Sequence, residues 1–286
     1  MSNHPEQVGA ALEHVRQRAS FTTPKVSGPI TLNFHPDLLS KGRLVIEEIA
    51  RHGCYRSQFE TGTSSGGLSA HKGGDRWNWE SRIFGGVYDH ANASIRPKYG
   101  ALNYRCDPFG GSPRFGSSFL RLTPHVWERT SFCYPDSHFD PEDFAVGDAQ
   151  SLIDLCDENP TDLDISLDNY IEAHVHGPVE IARDVEALVL DPSFKGTPIE
   201  QAASQLDCRL EWHCGFSLEA DRANDCAEFR GQPAAQALLT LASGGPVTPR
   251  TLGQARSGLL DYQTAKWLWH CLAKFGRMLP SSEPEA

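Results

Sequence analysis

Four polar side chains alternate along one short segment of the chain: Tyr170, Glu172, His174 and His176. Alternate residues of a β-strand share a face, so a strand over 169–176 would place these four on one side and the apolar residues between them on the other. A carboxylate beside a phenol and two imidazoles could perform acid–base chemistry. Two other interpretations stay open, namely a satisfied polar sheet face and a metal site built on His174 and His176.

An arginine lies in an earlier segment, Cys-Tyr-Arg-Ser-Gln-Phe-Glu-Thr-Gly at 54–62. Arg56 has strand-forming aromatic residues on either side, and hydroxyl and glycine residues follow. A planar guanidinium can hold a phosphate or a ribose, while exposed backbone N–H groups contact an amide. The alternative is an edge-strand arginine that pairs with Glu60 or another surface carboxylate.

A third segment, 114–119, reads Arg-Phe-Gly-Ser-Ser-Phe. It predicts a short strand that carries two adjacent hydroxyls, Ser117 and Ser118. Such hydroxyls could orient a neighbouring guanidinium or carboxylate, and the alternative is that both serines make only structural hydrogen bonds.

In chain order, these three segments resemble the mono-ADP-ribosyltransferases. That superfamily uses an Arg on an early strand, a Ser-containing strand in the middle, and a late strand whose catalytic Glu lies two residues after another polar side chain. Tyr55-Arg56, Ser117-Ser118 and Tyr170-x-Glu172 look like these elements. More specifically, the chain resembles the CteC type of bacterial effector transferases, which modify ubiquitin on a threonine. The segments that carry this resemblance are Tyr-Arg-Ser-Gln-Phe-Glu-Thr-Gly (55–62), Arg-Ile-Phe-Gly-Gly (82–86), Arg-Pro-Lys-Tyr-Gly-Ala-Leu-Asn (96–103) and Glu-Ala-His-Val-His-Gly (172–177), within roughly residues 28–220.

The chain departs from the family pattern at two places. The middle motif is Gly-Ser-Ser-Phe rather than Ser-Thr-Ser, so either Ser117 or Ser118 would take the role of the family's serine. The position two residues before Glu172 holds Tyr170, where many arginine-modifying relatives carry Glu or Gln. Because that extra carboxylate would position a guanidinium, its replacement argues against an arginine acceptor.

The resemblance implies transfer of ADP-ribose from NAD to a threonine hydroxyl of ubiquitin, which would block host ubiquitin signalling. Glu172 and Arg56 would be the catalytic residues. Glu172 would stabilise the positive charge that develops on the ribose as the nicotinamide bond breaks, and would take the proton of the acceptor hydroxyl. Arg56 would anchor the cofactor's phosphate or ribose, and His174 is the second candidate, after Glu172, for the base.

The resemblance also implies a set of NAD-binding residues. Beside Arg56, these are Ser57, Gln58, Phe84, Tyr99, Ser117, Ser118 and Tyr170. The ring of Phe84 or Tyr99 would stack on nicotinamide, and one of the two serines would orient Arg56 or Glu172.

The expected partners are NAD, as a co-substrate, and ubiquitin, with no metal, nucleic acid or membrane. We expect a monomer that is made in the bacterial cytoplasm, secreted as an effector, and active in the host cytosol. Two other functions stay open: a metal-dependent hydrolase that uses His174, His176 and a third ligand such as His35, and a non-catalytic module that binds a nucleotide or a protein.

Composition limits the functional classes. The 286 residues include 26 Lys+Arg and 37 Asp+Glu, which give a formal net charge of −11, and the isoelectric point is near 5.5. This excludes a broad basic face and argues against nucleic-acid binding driven by phosphates. No apolar run approaches the roughly 20 residues that cross a bilayer. The N-terminus also lacks the apolar stretch of a Sec-type signal peptide.

The eight cysteines contain no C-x-x-C pair, and they predict free thiols in a reducing compartment. The alternative is a zinc site formed by the tightest group, Cys208, His213, Cys214 and Cys226.

Short strands, interspersed helices and long glycine-containing connections predict an α+β fold. With the resemblance, we expect an ADP-ribosyltransferase-like split sheet, mixed or antiparallel, with flanking helices and a helical C-terminal segment. Neither G-x-G-x-x-G nor G-x-x-x-x-G-K-[ST] occurs, so Rossmann and P-loop nucleotide binding are not supported. The expected divisions are an N-terminal tail over 1–27 that could hold a secretion signal, a catalytic domain over 28–230, and a helical segment over 231–286 packed on the same domain.

Hydrophobic periodicity predicts the individual elements. Strands are expected over 30–34, 54–59, 100–104, 117–122, 169–176, 186–191 and 209–218. Helices are expected over 5–18, from about 37 to a stop at Gly53, and over 198–206, 233–242 and 259–275.

Overall fold

An eight-stranded mixed sheet forms the centre of the protein in a computed structural model, which describes residues 4–19, 28–62, 69–159 and 167–278. The strands are β1 (Ile30–Phe34), β2 (Leu39–Ser40), β3 (Arg43–Leu44), β4 (Cys54–Tyr55), β5 (Lys98–Leu102), β6 (Ser118–Leu122), β7 (Thr130–Tyr134), β8 (Asp143–Val146), β9 (Ile171–Val175), β10 (Val179–Glu180), β11 (Val185–Leu190) and β12 (Arg209–Trp212). The order in the large sheet is β12-β11-β6-β1-β5-β9-β7-β8. Only β11 and β12 run parallel there, and β2–β3 and β4–β10 form separate antiparallel pairs.

Helices flank this sheet and fill the C-terminal part of the chain. They are α1 (His4–Arg16), α2 (Val45–His52), α3 (Gln58–Thr61), α4 (Asp75–Ile83), α5 (Gln150–Glu158), α6 (Ile181–Asp184), α7 (Pro198–Ala203), α8 (Ala223–Arg230), α9 (Gln232–Leu241), α10 (Pro249–Ala255) and α11 (Tyr262–Phe275). The predicted α+β class, with a mixed sheet, flanking helices and a helical C-terminal segment, is confirmed. Among the described helices, none has the length and apolar character needed to span a bilayer.

One face of the sheet carries the main apolar core. The apolar residues of β9, which are Ile171, Ala173 and Val175, are fully buried in it together with side chains of α2, α5 and α7. This is the alternation predicted for 169–176, and it turns Glu172 and His174 toward the opposite face.

The opposite face is covered as well. Ala11 and Val15 of α1 are fully buried, in one apolar cluster with Phe84 and Tyr88. Residues 4–16 of the expected N-terminal tail therefore form a helix on the sheet, while 1–3 and 20–27 lie outside the described residues. Helices α8 to α11 share a separate cluster around Trp269.

Three local predictions are corrected by the structure. The helix expected from about 37 begins only at Val45, because Lys41 and Gly42 adopt positive φ values of 52° and 81° and form the turn between β2 and β3. The strand expected over 54–59 ends at Tyr55, and α3 begins three residues later. The strand expected over 209–218 ends at Trp212.

Candidate functional site

Six of the residues expected from the sequence line one cleft beside the sheet. They are Arg56, Ser57, Gln58, Tyr99, Tyr170 and Glu172. The cleft lies between α2, the 54–61 segment, α4, and the ends of β1, β5 and β9. Residues from the early and late parts of the chain therefore meet at one place.

Arg56 follows β4 and is held in place by α2. Its Nη2 donates to Oε2 of Glu48 over 2.8 Å, and the Arg56 side chain is 20% exposed. The same carboxylate lies 3.4 Å from Nε2 of His52. Arg56 therefore already has a carboxylate partner, although that partner is Glu48 and not the Glu60 weighed from the sequence.

Ser57 and Gln58 begin the short helix α3. The carboxylate of Glu60 accepts hydrogen bonds from the backbone N–H of Ser57 over 2.8 Å and from its Oγ over 3.0 Å, which satisfies the start of the helix. The helix ends at Gly62, whose φ of 66° is in the left-handed region. This local structure explains why the Tyr-Arg-Ser-Gln-Phe-Glu-Thr-Gly segment turns after Arg56 instead of continuing as a strand.

Glu172 lies in the middle of the sheet, where β9 pairs with β5 and β7. Its side chain is buried, and Oε1 accepts from Nε2 of His174 over 2.8 Å and from the backbone N–H of Ser137 over 3.2 Å. Burial raises the pKa of this carboxyl, but the hydrogen bond from His174 and the charge of Arg76 outweigh it. The net pKa of Glu172 lies below its ordinary value, so the cleft contains an ionised carboxylate at neutral pH.

Tyr170 lies beside Glu172, but its hydroxyl bonds to a different carboxylate. Its hydroxyl donates to Oδ2 of Asp136 over 2.5 Å, and its ring meets the ring of Phe115 edge-on at 5.7 Å. Phe115 also lines the cleft. The position two before Glu172 thus supplies a phenol that is already bonded to a carboxylate.

Arg76, a cation that the sequence analysis did not single out, also lines the cleft. It lies on α4, with its guanidinium 4.1 Å from the ring centroid of Tyr99. Among the described residues its Nε and Nη1 are buried without a hydrogen-bond partner. Burial lowers the pKa of Arg76, and Tyr99 with Glu172 more than reverses this. The sequence signal that could have found it is helical spacing over Arg76, Trp79, Glu80 and Ile83.

Glu80 lies one turn from Arg76, at the base of the same cleft. Its Oε2 accepts from Nη1 of Arg96 over 2.6 Å, and its Oε1 accepts from the hydroxyl of Tyr99 over 3.3 Å. Burial raises the pKa of Glu80 to about 7, against the opposing charge of Arg96. Through Glu80, the Arg-Pro-Lys-Tyr segment is fixed to α4.

Three expected cofactor-binding residues are not brought to the cleft. Phe84 is fully buried, with its ring 5.2 Å from that of His174 and 5.0 Å from that of His176, so it has no face free to stack on nicotinamide. The hydroxyl of Ser117 is buried without a partner among the described residues. The hydroxyl of Ser118 accepts from the backbone N–H of Asp191. Neither serine touches Arg56 or Glu172 in the described part of the chain; His174 takes the orienting role expected of them.

The metal sites weighed from the sequence take a different form. His174 and His176 are both buried, and both make hydrogen bonds to protein side chains. The His35 ring packs edge-on against the ring of Trp269, with 4.6 Å between the ring centroids. In the described ranges, the three donors that do come together are Cys133, Glu172 and His174, whose ligand atoms lie within 4.8 Å of one another.

The zinc group weighed around Cys208 does not converge within those ranges. Nε2 of His213 lies 2.8 Å from the Ser117 carbonyl oxygen, and Cys226 contacts Cys271. All eight cysteines are free thiols, as predicted.

Comparison with known proteins adds one family. The family model described as "Protein of unknown function (DUF3626)" matches residues 29–153 and 145–275. No curated protein matches the sequence. The matched ranges include the whole sheet, the cleft and most of the C-terminal helices. Because they extend over far more than half of its length, the chain belongs to the DUF3626 family.

Proposed function

We propose that the protein is a mono-ADP-ribosyltransferase of the CteC type, which transfers ADP-ribose from NAD to a threonine hydroxyl of ubiquitin. The observation that carries the proposal is the convergence of Arg56 and Glu172, from distant segments, on one cleft. That convergence is what the motif resemblance requires. The proposed role is that of a secreted bacterial effector that acts in the host cytosol and blocks ubiquitin signalling.

Two guanidinium groups of the cleft suit a dinucleotide. Arg56 and Arg76 lie on its walls, in a chain whose net charge is −11, and Arg76 has guanidinium N–H groups without a partner among the described residues. Guanidinium groups bind phosphate oxygens through paired hydrogen bonds. The rings of Tyr99 and Phe115 lie along the same surface and offer stacking partners for a nicotinamide or adenine ring.

The chemistry assigned to Glu172 follows from its ionisation. As the bond between nicotinamide nitrogen and ribose C1′ breaks, the electron pair leaves with nicotinamide and positive charge develops on the ribose. A fixed carboxylate stabilises that charge and accepts a hydrogen bond from a ribose hydroxyl. The threonine oxygen then bonds to C1′, and its proton passes to Glu172.

The choice of acceptor is supported by the motif resemblance and by Tyr170. An arginine acceptor would need a second carboxylate beside Glu172, but the hydroxyl of Tyr170 occupies that position and is bonded to Asp136. A hydroxyl acceptor has no positive charge to be held there. Ubiquitin as the protein that carries the hydroxyl rests on the resemblance to the CteC type.

The test is incubation of the full chain with labelled NAD and ubiquitin, followed by mass spectrometry of ubiquitin. One added ADP-ribose on a threonine is the expected product. Glu172→Gln should slow the transfer by about 10²–10³. The exposed Glu180→Gln serves as the matched control and should behave as the unmodified chain. Equal labelling by Glu172→Gln and by the control would overturn the proposal.

A second candidate function, a metal-dependent hydrolase, is favoured by the cluster of Cys133, Glu172 and His174. Zinc accepts all three kinds of donor. However, burial and the charge of Glu172 raise the pKa of the Cys133 thiol, and His174 already donates to Glu172. Measurement of bound metal separates the two functions: stoichiometric zinc that is lost in Cys133→Ser would support the hydrolase, whereas NAD turnover unchanged by a chelator would support the transferase.

A further inference from the structure

A line of four buried polar side chains runs under the cleft and ends at Glu172. These are Tyr88, His176, Ser131 and His174, and all four are 0% exposed. The Tyr88 hydroxyl lies 2.7 Å from Nδ1 of His176, and Nε2 of His176 lies 2.9 Å from Oγ of Ser131. That oxygen lies 3.3 Å from Nδ1 of His174, whose Nε2 lies 2.8 Å from Glu172. The line is therefore unbroken from the phenol to the carboxylate.

Where both imidazole rings are neutral, the ionised carboxylate fixes the direction of every bond in this line. Glu172 can only accept, so Nε2 of His174 carries a proton, and in a neutral ring Nδ1 must then accept. Ser131 therefore donates its single proton to His174 and accepts from Nε2 of His176. Nδ1 of His176 is left to accept from the hydroxyl of Tyr88. Each donor in the line points toward Glu172.

Aromatic rings surround both imidazoles of this line. The ring of Phe84 contacts both imidazoles edge-on, and that of Tyr99 meets His174 at 5.2 Å. Burial and the charge of Arg129 hold the pKa of His176 well below its ordinary value. When both rings are neutral, a single arrangement of protons satisfies all four side chains.

The hydrogen bonds to the Glu172 carboxylate within the described residues all reach one oxygen, Oε1. Oε1 accepts from His174, from the Ser137 N–H and from the Cys133 thiol, the last over 3.8 Å. Within the described residues no hydrogen bond reaches Oε2, so that oxygen is left for a ligand in the cleft.

We propose that Tyr88, His176, Ser131 and His174 are positioning residues: a one-way chain of hydrogen bonds that fixes Oε1 of Glu172 and leaves Oε2 to the ribose. His174 then orients the carboxylate and is not a base, because its Nε2 proton is already committed to Glu172. The link to the ribose rests on the proposed transferase function, whereas the chain itself does not.

The first experiment tests the chain without any activity. Long-range proton–nitrogen NMR of the ¹⁵N-labelled full chain at pH 7.5 should show both His174 and His176 as neutral rings protonated at Nε2. Carbon NMR of the Glu172 carboxyl should show its pKa rising in Ser131→Ala, and less so in Tyr88→Phe. The control is Tyr134→Phe, whose hydroxyl contacts Asn169 instead. A His176 ring protonated at Nδ1, or a Glu172 pKa unmoved in Ser131→Ala, overturns the proposal.

The second experiment tests positioning during turnover. Ser131→Ala and Tyr88→Phe should each lower kcat for NAD by about tenfold, as small misplacements of a reacting group do, with KM within about twofold. The Tyr134→Phe control should leave kcat unchanged. A loss of kcat that matches the loss of folded protein in thermal unfolding would contradict positioning. If the unmodified chain turned over no NAD while the NMR results held, the transferase proposal would fail and the chain of hydrogen bonds would stand.

Discussion

Arg56 donates to Glu48 over 2.8 Å, so the arginine expected to anchor the cofactor is held by helix α2 and not by the strand that carries Glu172. The contact fixes where the guanidinium points. It also joins the cleft to α2, which was predicted from its apolar residues alone.

Glu48→Gln should weaken NAD binding only slightly. Because the Arg56–Glu48 pair keeps some exposure, we expect a rise in KM of no more than about fivefold. The measurement is KM for NAD, with the exposed Glu228→Gln as control. A rise above about fiftyfold would show that Glu48 does more than hold Arg56.

Arg76→Gln should have a larger effect than Arg56→Gln. The Nε and Nη1 groups of Arg76 are buried without a partner in the described residues, and a hydrogen bond to a charged group contributes about 1.5–3 kcal/mol. We therefore expect NAD affinity by calorimetry to fall by about 10- to 100-fold. Arg82→Gln, on the same helix but in an exposed pair with Asp140, is the control. A greater loss from Arg56→Gln would assign the main anion contact to Arg56 instead.

His174→Gln should move the acid limb of the pH–rate profile to higher pH. His174 is the main group that brings the pKa of Glu172 below its ordinary value of 4.5 against the effect of burial. Without it the carboxylate is protonated at higher pH and stops stabilising the ribose charge. The exposed His71→Gln is the control. The same substitution should also reduce the stability that is present above pH 4.5 and lost as pH falls through the Glu172 pKa.

His270→Leu should make stability less dependent on acid. Burial lowers the pKa of His270 from 6.5 to about 2, and the charges of Arg114 and Arg230 add to this. Below pH 6.5 the unfolded chain therefore binds a proton at His270 that the folded chain does not bind. The free energy of unfolding then falls by about 1.4 kcal/mol for each unit that the pH decreases.

The measurement is the free energy of unfolding in urea between pH 7 and pH 5. The slope against pH should be smaller in His270→Leu by one proton, whereas His71→Gln should keep the original slope. Identical slopes for His270→Leu and the unmodified chain would mean that His270 is protonated in the folded protein.

The sequence predicted those parts of the fold that have a clear period. The alternation over 169–176 placed Ile171 and Val175 in the core and Glu172 on the other face, as found. Strands β7 and β8 were missed, because β7 is buried on both faces and its residues Thr130–Tyr134 do not alternate in polarity. Short helices such as α4 were missed for a different reason: glycines and scattered aromatic residues surround them and hide the helical period.

The candidate site was predicted in part. The motifs predicted that Arg56 and Glu172 lie in one cleft, as they do. They did not predict Arg76, which lies on α4, a helix that was not assigned from the sequence. Phe84 was assigned to the cofactor through the resemblance that Arg-Ile-Phe-Gly-Gly (82–86) helps to carry. In the structure those glycines, with φ of 61° and 75°, turn the chain back, and Phe84 packs on the imidazoles beneath the cleft. Which side of an irregular segment faces a ligand depends on long-range packing, and local sequence does not encode it.

The burial of Ala11 and Val15 affects how the proposal of a secretion signal within residues 1–27 can be tested. Deletion of residues 1–16 would remove one side of the apolar cluster that contains Phe84 and Tyr88. The truncated protein would then be destabilised, whether or not it was still secreted. Substitutions at the exposed Glu6 and Glu13 alter the outer surface of the helix and keep that side of the cluster. They would distinguish the proposed secretion signal from a helix that the fold needs.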